Sequence, residues 1–198
     1  MHRAHLSKDK KLQKIIQLQE PPVFTRKKNI YLHLCASIMS QQLSTKVAAV
    51  IYARFLGLFG NTTPSPEDIL AIPFEELRSI GLSNSKTHYV RNVCEFFISE
   101  KITDKKLYTM SSADVMEKLV SIKGVGRWTV EMLLMFALGD EDVFAPDDLG
   151  IQQAMIKLYK LGDLDKKMLR AEMMRISAKW SPYRTYACRY LWNWKDKK

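Results

Sequence analysis

Residues 119–136 read LVSIKGVGRWTVEMLLMF: two apolar helical patterns joined by a short segment that contains two glycines. Gly124 and Gly126 both allow a positive φ, so the backbone can turn sharply there. Amide groups of this glycine corner (residues 121–126) and of the next helical turn can then converge on one anion, which the helix dipole favours. Lys123 and Arg127 add positive charge. The stretch favours a phosphate-binding corner, although such a glycine pair also occurs in plain helix connections.

Most of the remaining chain also has helical periodicity, and no segment alternates like a strand. The apolar faces are Val47, Val50, Ile51, Phe55 and Leu58 within 45–59; Val90, Val93, Cys94 and Phe97 within 86–98; and Val115, Leu119 and Ile122 within 111–122. Residues 129–138 are apolar nearly all round, which predicts a central buried helix. Ser65, Pro66 and Asp68 predict a capped helix start. The chain is predicted to be all-α.

One helix–corner–helix pattern occurs twice. Residues 74–90 (FEELRSIGLSNSKTHYV) repeat the form of residues 116–133, with a glycine near the end of the corner. Ordinary helix packing is the simpler explanation of this repeat. In a basic protein the alternative is that the second corner also binds a nucleic-acid backbone.

The composition favours one compact domain or two fused lobes that bind a polyanion. The 198 residues are 46% hydrophobic and carry a formal net charge of +10. Such a charge often indicates nucleic acid binding, although solvated surface lysines are the alternative. The three cysteines lie far apart and are expected to be buried thiols in a reducing compartment, not ligands of zinc or an iron–sulfur cluster. No transmembrane helix or signal peptide is expected.

Two adjacent carboxylates lie about twenty residues after the corner, in DVFAPDDLGIQQAM (142–155). Pro146 predicts that a helix begins around Asp147, whose carboxylate is placed to cap it, with Asp148 in the first turn. Acidic residues are common at helix starts, so both could be structural, and Asp147 is assigned mainly to that role. Asp148, on the loop that returns from the glycine corner, is also suited to stabilise positive charge on a sugar or to activate water.

These motifs resemble the helix–hairpin–helix DNA glycosylase superfamily, and its alkylpurine branch most closely. LVSIKGVGRWTVEMLLMF followed by DVFAPDDLGIQQA resembles the hairpin and the loop with the catalytic aspartate. Residues 38–49 resemble the segment that carries the DNA wedge, 80–90 a second backbone-contacting corner, and 179–192 the C-terminal aromatic segment. The resemblance covers residues 30 to 194. It implies an all-α fold with residues 112–138 as the hairpin, two helical lobes within 1–198 and the active-site cleft between them, without the extra β-domain of some relatives.

The resemblance also implies roles for individual residues. Asp148 matches the catalytic aspartate. Trp128 stands where strand-cleaving members have a Schiff-base lysine, which implies base removal without lyase activity. The implied base pocket consists of Trp128, Trp192 and Met132, the last in place of a tyrosine. Gln42 aligns with the wedge, and Gln41 or Leu43 serves instead if the register slips. The implied DNA-backbone contacts are Lys86, Lys123, Gly124, Gly126, Arg127 and Thr129, and the carbonyls of Val120, Ile122 and Val125 are implied to hold a structural Na⁺ or K⁺ ion.

The function implied is hydrolysis of the N-glycosidic bond of 3-methyladenine and 7-methylguanine in duplex DNA. No cofactor is expected to be required, and the protein is expected to act as a monomer away from membranes, in the cytoplasm of a bacterium or the nucleus of a eukaryote. The alternatives are a non-catalytic helix–hairpin–helix DNA-binding protein, a glycosylase for oxidised or deaminated bases, and an RNA-binding protein, for which only the charge speaks.

Overall fold

The computed structural model describes residues 1–196, and these are all-α, as predicted, with no β-strand among them. The α-helices are α1 His2–Leu6, α2 Lys10–Ile16, α3 Ile30–Ser40, α4 Thr45–Gly57, α5 Pro66–Ala71, α6 Phe74–Ser79, α7 Asn84–Ser99, α8 Asp104–Thr109, α9 Ser112–Val120, α10 Arg127–Leu133, α11 Leu149–Tyr159, α12 Lys166–Ser177 and α13 Arg184–Asp196. A π-helical turn, Leu134–Leu138, and a 3₁₀ turn, Ala178–Trp180, complete the set. Across residues 1–196, no helix combines the length and apolar character needed to cross a membrane.

The helices divide into two compact units. Residues 27–133 form the central unit, whereas residues 1–26 and the described residues from 134 onward form the terminal unit. The central unit contains α3 to α10 and therefore both helix–corner–helix patterns. The terminal unit contains the loop with the paired carboxylates and the aromatic C-terminal segment.

Helix α7 is the centre of the central unit, where it packs against α3, α5 and α6. Its predicted apolar face is buried, and α3 contributes Leu34, Cys35 and Ile38 to the same core. Side-chain hydroxyls cap α7 and α9 at their N-termini: Ser83 accepts the amide of Lys86, and Ser111 that of Asp114. Burial and capping together explain why these sequences stay helical.

Helices α11 and α13 form the core of the terminal unit and pack on each other, and α2 packs on both. The side chains of Met155, Trp180, Tyr190 and Leu191 are almost completely buried there. The indole of Trp180 and the hydroxyl of Tyr159 both donate to the carboxylate of Asp9, at 3.2 and 2.6 Å. This unit therefore joins the beginning and the end of the described chain in one core.

The predicted faces of α7 and α9 and the capping box of Ser65 and Asp68 are confirmed. The predicted face of α4 is wrong in its first half. Ile51 and Phe55 are buried, but Val47 and Val50 are 46% and 45% exposed. Periodicity identifies an apolar face, but it does not show how far along the helix a neighbour covers that face.

The predicted helix 129–138 also differs from the structure. The α-helical pattern ends at Leu133, and residues 134–138 form a π-helical turn. Most of the side chains are buried as predicted, but Phe136 is 40% exposed. A π turn contains one extra residue, which shifts the face on which each following side chain lies.

Candidate active site

The glycine corner of the central unit is a tight turn between α9 and α10. Gly124 has a φ of +102°, and a Cβ at this position would overlap the ring of Tyr89 on α7. The side-chain amide of Asn92 donates to the carbonyl of Lys123 at 3.0 Å, which ties the corner to the same helix. Gly124 is therefore required twice, for its backbone conformation and for the close approach of Tyr89.

The second glycine of the corner does not use the positive φ that a glycine allows. Gly126 lies outside the left-handed region, and a Cβ there would meet nothing within 4 Å. Its role is to leave open surface beside the exposed Lys123 and Arg127. The guanidinium of Arg127 pairs with Glu131 at 3.1 Å, and the Arg127 side chain is 64% exposed whereas that of Glu131 is 2% exposed.

The residues of α10 face in different directions. Trp128 is 40% exposed and Met132 is half-buried, whereas Thr129 is buried and presents almost no surface. In the glycine corner the carbonyl of Ile122 accepts the amide of Val125 at 2.9 Å. A carbonyl has two lone pairs, so this bond leaves Ile122 able to bind a cation as well.

The segment predicted to carry the wedge lies between α3 and α4. Gln42 and Leu43 are exposed, and Gln42 has a φ of +59°. The ammonium group of Lys86 does not extend away from the protein: it donates to the carbonyls of Met39 and Gln41, at 3.0 and 2.6 Å. Two of the three donors of this ammonium therefore have partners within the chain, and the phosphate contact stays a prediction.

In the terminal unit, Asp148 is the N-cap of α11. Its Oδ1 accepts the amide of Ile151 at 2.9 Å, and its own amide donates to the carbonyl of Ala145. The prediction that Asp147 caps this helix is therefore wrong. The turn that follows Pro146 takes up one more residue than expected, so the helix begins at Leu149, and Asp147 instead pairs with Arg170 at 3.2 Å.

Trp192, on α13, contacts the same carboxylate. Its indole Nε1 donates to Oδ1 of Asp148 at 2.8 Å, so one oxygen accepts two hydrogen bonds. Gly150 makes this contact possible, because a Cβ there would lie 2.9 Å from Cδ1 of Trp192 and 3.1 Å from Oδ1 of Asp148. The structure therefore brings together two of the predicted site residues and holds both in place.

Three residues beside this pair were missed by the sequence analysis. The rings of Phe136 and Trp192 have centroids 5.7 Å apart. The guanidinium of Arg189 lies 5.2 Å from the Phe136 ring and 5.6 Å from that of Phe24, and burial lowers its pKa. The sequence did not single out Phe136, because residues 129–138 are apolar on nearly every face of the predicted helix. Its exposure depends on the π turn, which no local pattern marks.

The loop that leads to Asp148 is held by a second carboxylate. Asp142 accepts both Nε and a terminal nitrogen of Arg184, at 2.8 and 2.9 Å, and the hydroxyl of Ser181 at 2.7 Å. Burial alone would raise the pKa of Asp142, but the hydrogen bonds from Arg184 and Ser181 outweigh it and keep the pKa below its usual value. The fixed loop contributes to a defined position for Asp148.

Comparison with known proteins identifies a family whose members match the sequence of this chain. Residues 35–179 match the family described as HhH-GPD superfamily base excision DNA repair protein. The chain belongs to this family. DNA-3-methyladenine glycosylase 1 of Schizosaccharomyces pombe is 37% identical over 92% of this chain and 80% of its own length. A Saccharomyces cerevisiae DNA-3-methyladenine glycosylase is 35% identical over 81% of this chain, which spans only 55% of that longer protein.

The fold of this HhH-GPD protein also matches a solved complex. The structure of an S. pombe 3-methyladenine DNA glycosylase with abasic DNA is 33% identical and superposes with a TM-score of 0.85, over 97% of this chain and 95% of the other. The family match includes the wedge segment, the glycine corner and Asp148, but it ends before Trp192. The structural match extends over nearly the whole chain, so α13 belongs to the shared fold.

Proposed function

We propose that this HhH-GPD protein is a DNA glycosylase that releases 3-methyladenine and 7-methylguanine from duplex DNA. The observation that carries the proposal is the Asp148 carboxylate, which is fixed by the first turn of α11 and by the Trp192 indole. A carboxylate held in one position, in a chain of this family, suits stabilisation of positive charge that develops on a sugar. The two similar proteins named as DNA-3-methyladenine glycosylases support the choice of base.

The proposed reaction begins with rotation of the damaged nucleotide out of the duplex. The glycine corner binds the DNA backbone, and the segment 41–43 fills the gap. The C1′–N bond then breaks with its electron pair leaving on the base, which neutralises the positive charge that alkylation placed there. Asp148 stabilises the oxocarbenium-like sugar, and water adds to C1′ and loses a proton. The products are the free base and an abasic site.

We propose that Trp192 and Phe136 of the terminal unit contact the flipped base, whereas the pocket roles of Trp128 and Met132 in the central unit rest on the resemblance alone. Aromatic faces attract a cationic, electron-poor base by about 1–2 kcal/mol when water is excluded. This margin is modest, so most of the discrimination comes from the weakened glycosidic bond of the alkylated base itself.

We also propose that the enzyme does not cleave the DNA strand. Trp128 has no amine, so it cannot form a Schiff base with the sugar. Methylated duplex DNA incubated with the protein should accumulate abasic sites that break only after added alkali, and borohydride should trap no covalent complex. Strand breaks without alkali would contradict this assignment.

A monovalent cation at the glycine corner is part of the proposal. Val120 is the last residue of α9, and Ile122 and Val125 follow it; helix carbonyls at a C-terminus lack intrahelical partners, and the dipole favours a cation there. Bound K⁺ or Na⁺ supplies a positive charge for a DNA phosphate. DNA affinity should therefore be higher in KCl than in tetramethylammonium chloride at equal ionic strength. Equal affinities would contradict the cation site.

The test of the function is chromatography of the free bases released from methylated duplex DNA. The proposal expects 3-methyladenine and 7-methylguanine in the soluble fraction. If the protein still binds the duplex but releases neither base, the proposal is contradicted. That result would favour a non-catalytic DNA-binding protein or a glycosylase that acts on a different lesion.

A further inference from the structure

The segment between α3 and α4 is a type II β-turn. The amide of Leu43 donates to the carbonyl of Ser40 at 3.1 Å. Gln41 has φ −51° and ψ 132°, and Gln42 has φ +59°. A type II turn requires a positive φ at its third residue, which is usually glycine. A side chain at this position disfavours the turn, so something else in the structure must select it.

Lys86 supplies that selection. Type I and type II turns differ in the orientation of the central peptide, here the one between Gln41 and Gln42. The Lys86 ammonium donates to the Gln41 carbonyl at 2.6 Å and to that of Met39, in the last turn of α3, at 3.0 Å. A peptide flip to type I would turn the Gln41 carbonyl away from this charge. Burial lowers the pKa of Lys86, in agreement with an ammonium drawn into the protein.

The position of Lys86 makes this anchor rigid. It lies in the first turn of α7, where its backbone amide donates to the hydroxyl of Ser83, and α7 packs against α3, α5 and α6. The turn therefore rests on the helix that also packs against Gly124 through Tyr89. Gln42 and Leu43, which follow the anchored Gln41 carbonyl in the chain, are exposed.

We propose that Lys86 is a positioning residue that holds the turn 40–43, so that Gln42 and Leu43 are presented for insertion into the DNA stack. This inference rests on the proposed function, since it assumes that the enzyme rotates a base out of the duplex. Lys86 neither contacts the substrate nor contributes its charge to a phosphate.

The first measurement does not depend on activity. Amide hydrogen exchange of Leu43, whose N–H closes the turn, should be about tenfold faster in Lys86→Met than in the parent, because the positive φ of Gln42 is no longer compensated. Lys86→Arg keeps a donor and should keep most of the protection. Gln42→Asn in the Lys86→Met background should restore part of it, since asparagine tolerates positive φ better. Unchanged exchange in Lys86→Met would overturn the proposal.

The second measurement separates positioning from phosphate contact. Single-turnover excision by Lys86→Met should fall about tenfold for a lesion in a normal base pair. It should be nearly unchanged for the same lesion in single-stranded DNA, where no gap has to be filled. The dependence of DNA affinity on salt should equal that of the parent. Lys105→Met, at an exposed lysine of α8, controls for the loss of one charge.

Two results would overturn the inference here: equal losses on paired and single-stranded lesions, or a decrease of about 0.9 in the salt slope, which is the value expected for one phosphate contact. If the parent releases no base from any DNA, the proposed function fails. The exchange rate of Leu43 still decides whether Lys86 holds the turn.

Discussion

The two units build their candidate functional surfaces from different parts of the chain. In the central unit the glycine corner offers mainly backbone: Gly124 must turn and admit Tyr89, and Gly126 leaves open space. In the terminal unit the site consists of side chains. Asp148 and Trp192 share a hydrogen bond, and Phe136 lies beside them.

This contrast suggests a division of roles. A backbone surface binds any phosphate in the same way and carries no information about a base. Side chains fixed around one carboxylate suit chemistry at one atom. Substitutions in the glycine corner should therefore change DNA affinity, whereas those around Asp148 should change the rate of excision at unchanged affinity.

The largest effect is expected at Asp148. Asp148→Asn keeps an oxygen that can accept the Ile151 amide and the Trp192 indole, so the helix cap should persist. Excision should fall by about 100-fold or more, because the charge that stabilises the sugar is lost. Rates of base release at saturating protein, with duplex binding measured alongside, check this.

Asp147→Asn is the matched control. It removes the adjacent carboxylate, whose partner in the structure is Arg170, and should leave excision within about twofold of the parent. Loss of activity in Asp147→Asn with retention in Asp148→Asn would reverse the assignment of the two carboxylates.

The next largest effect is expected at Gly124. Alanine there meets both a φ of +102° and the Tyr89 ring, and should lower the free energy of unfolding by about 2–4 kcal/mol. Gly126→Ala, in open space, should cost about 1 kcal/mol or less. Thermal unfolding of the two variants checks this. Equal losses would contradict the different roles of the two glycines.

A smaller effect is expected at Trp192. Trp192→Phe keeps an aromatic face but loses the donor to Oδ1 of Asp148, and a hydrogen bond to a charged group is worth about 1.5–3 kcal/mol. Excision should fall roughly tenfold, with DNA affinity unchanged. If Trp192→Phe excised the base at the parental rate, the hydrogen bond from the indole would not contribute to catalysis, and only the aromatic ring would matter.

The smallest effect concerns a carboxylate of the terminal unit with a structural role. Asp142→Asn should lower stability at neutral pH by about 1 kcal/mol, because Arg184 loses its charged partner. The pKa of Asp142 is lowered in the folded protein, so its contribution is present above the ordinary value of 3.8 and is lost as the pH falls through the folded pKa. Denaturant unfolding of both proteins should converge at low pH. A difference that persists there would exclude the ion pair as its cause.

The sequence predicted much of the fold because its signals are local. The box of Ser65 and Asp68 depends on residues three apart, and the buried faces of α7 and α9 repeat every three or four residues. The signals failed where distant contacts decide. Val47 and Val50 have the spacing of a buried face, but no neighbouring element in the described part of the chain covers them. The face on which Phe136 lies depends on a π turn.

The candidate site shows the same limit. Sequence resemblance selected Asp148 as the catalytic residue, but local capping rules assigned the N-cap to Asp147, one residue before the actual N-cap, Asp148. The resemblance implied a phosphate contact for Lys86, but no local pattern showed that its ammonium donates to two carbonyls of α3 and the turn that follows it. Such partners lie more than forty residues away in the chain, beyond the reach of any local pattern.

The most direct test of the division of roles is single-turnover excision as a function of protein concentration, for the parent, Lys123→Met and Asp148→Asn. Lys123 lies exposed in the glycine corner, and its loss should slow excision only when protein is limiting. We expect Lys123→Met to reach the parental rate at saturation and Asp148→Asn to remain slow at every concentration. An Asp148→Asn rate that rises to the parental value at saturation would contradict the catalytic role of this carboxylate.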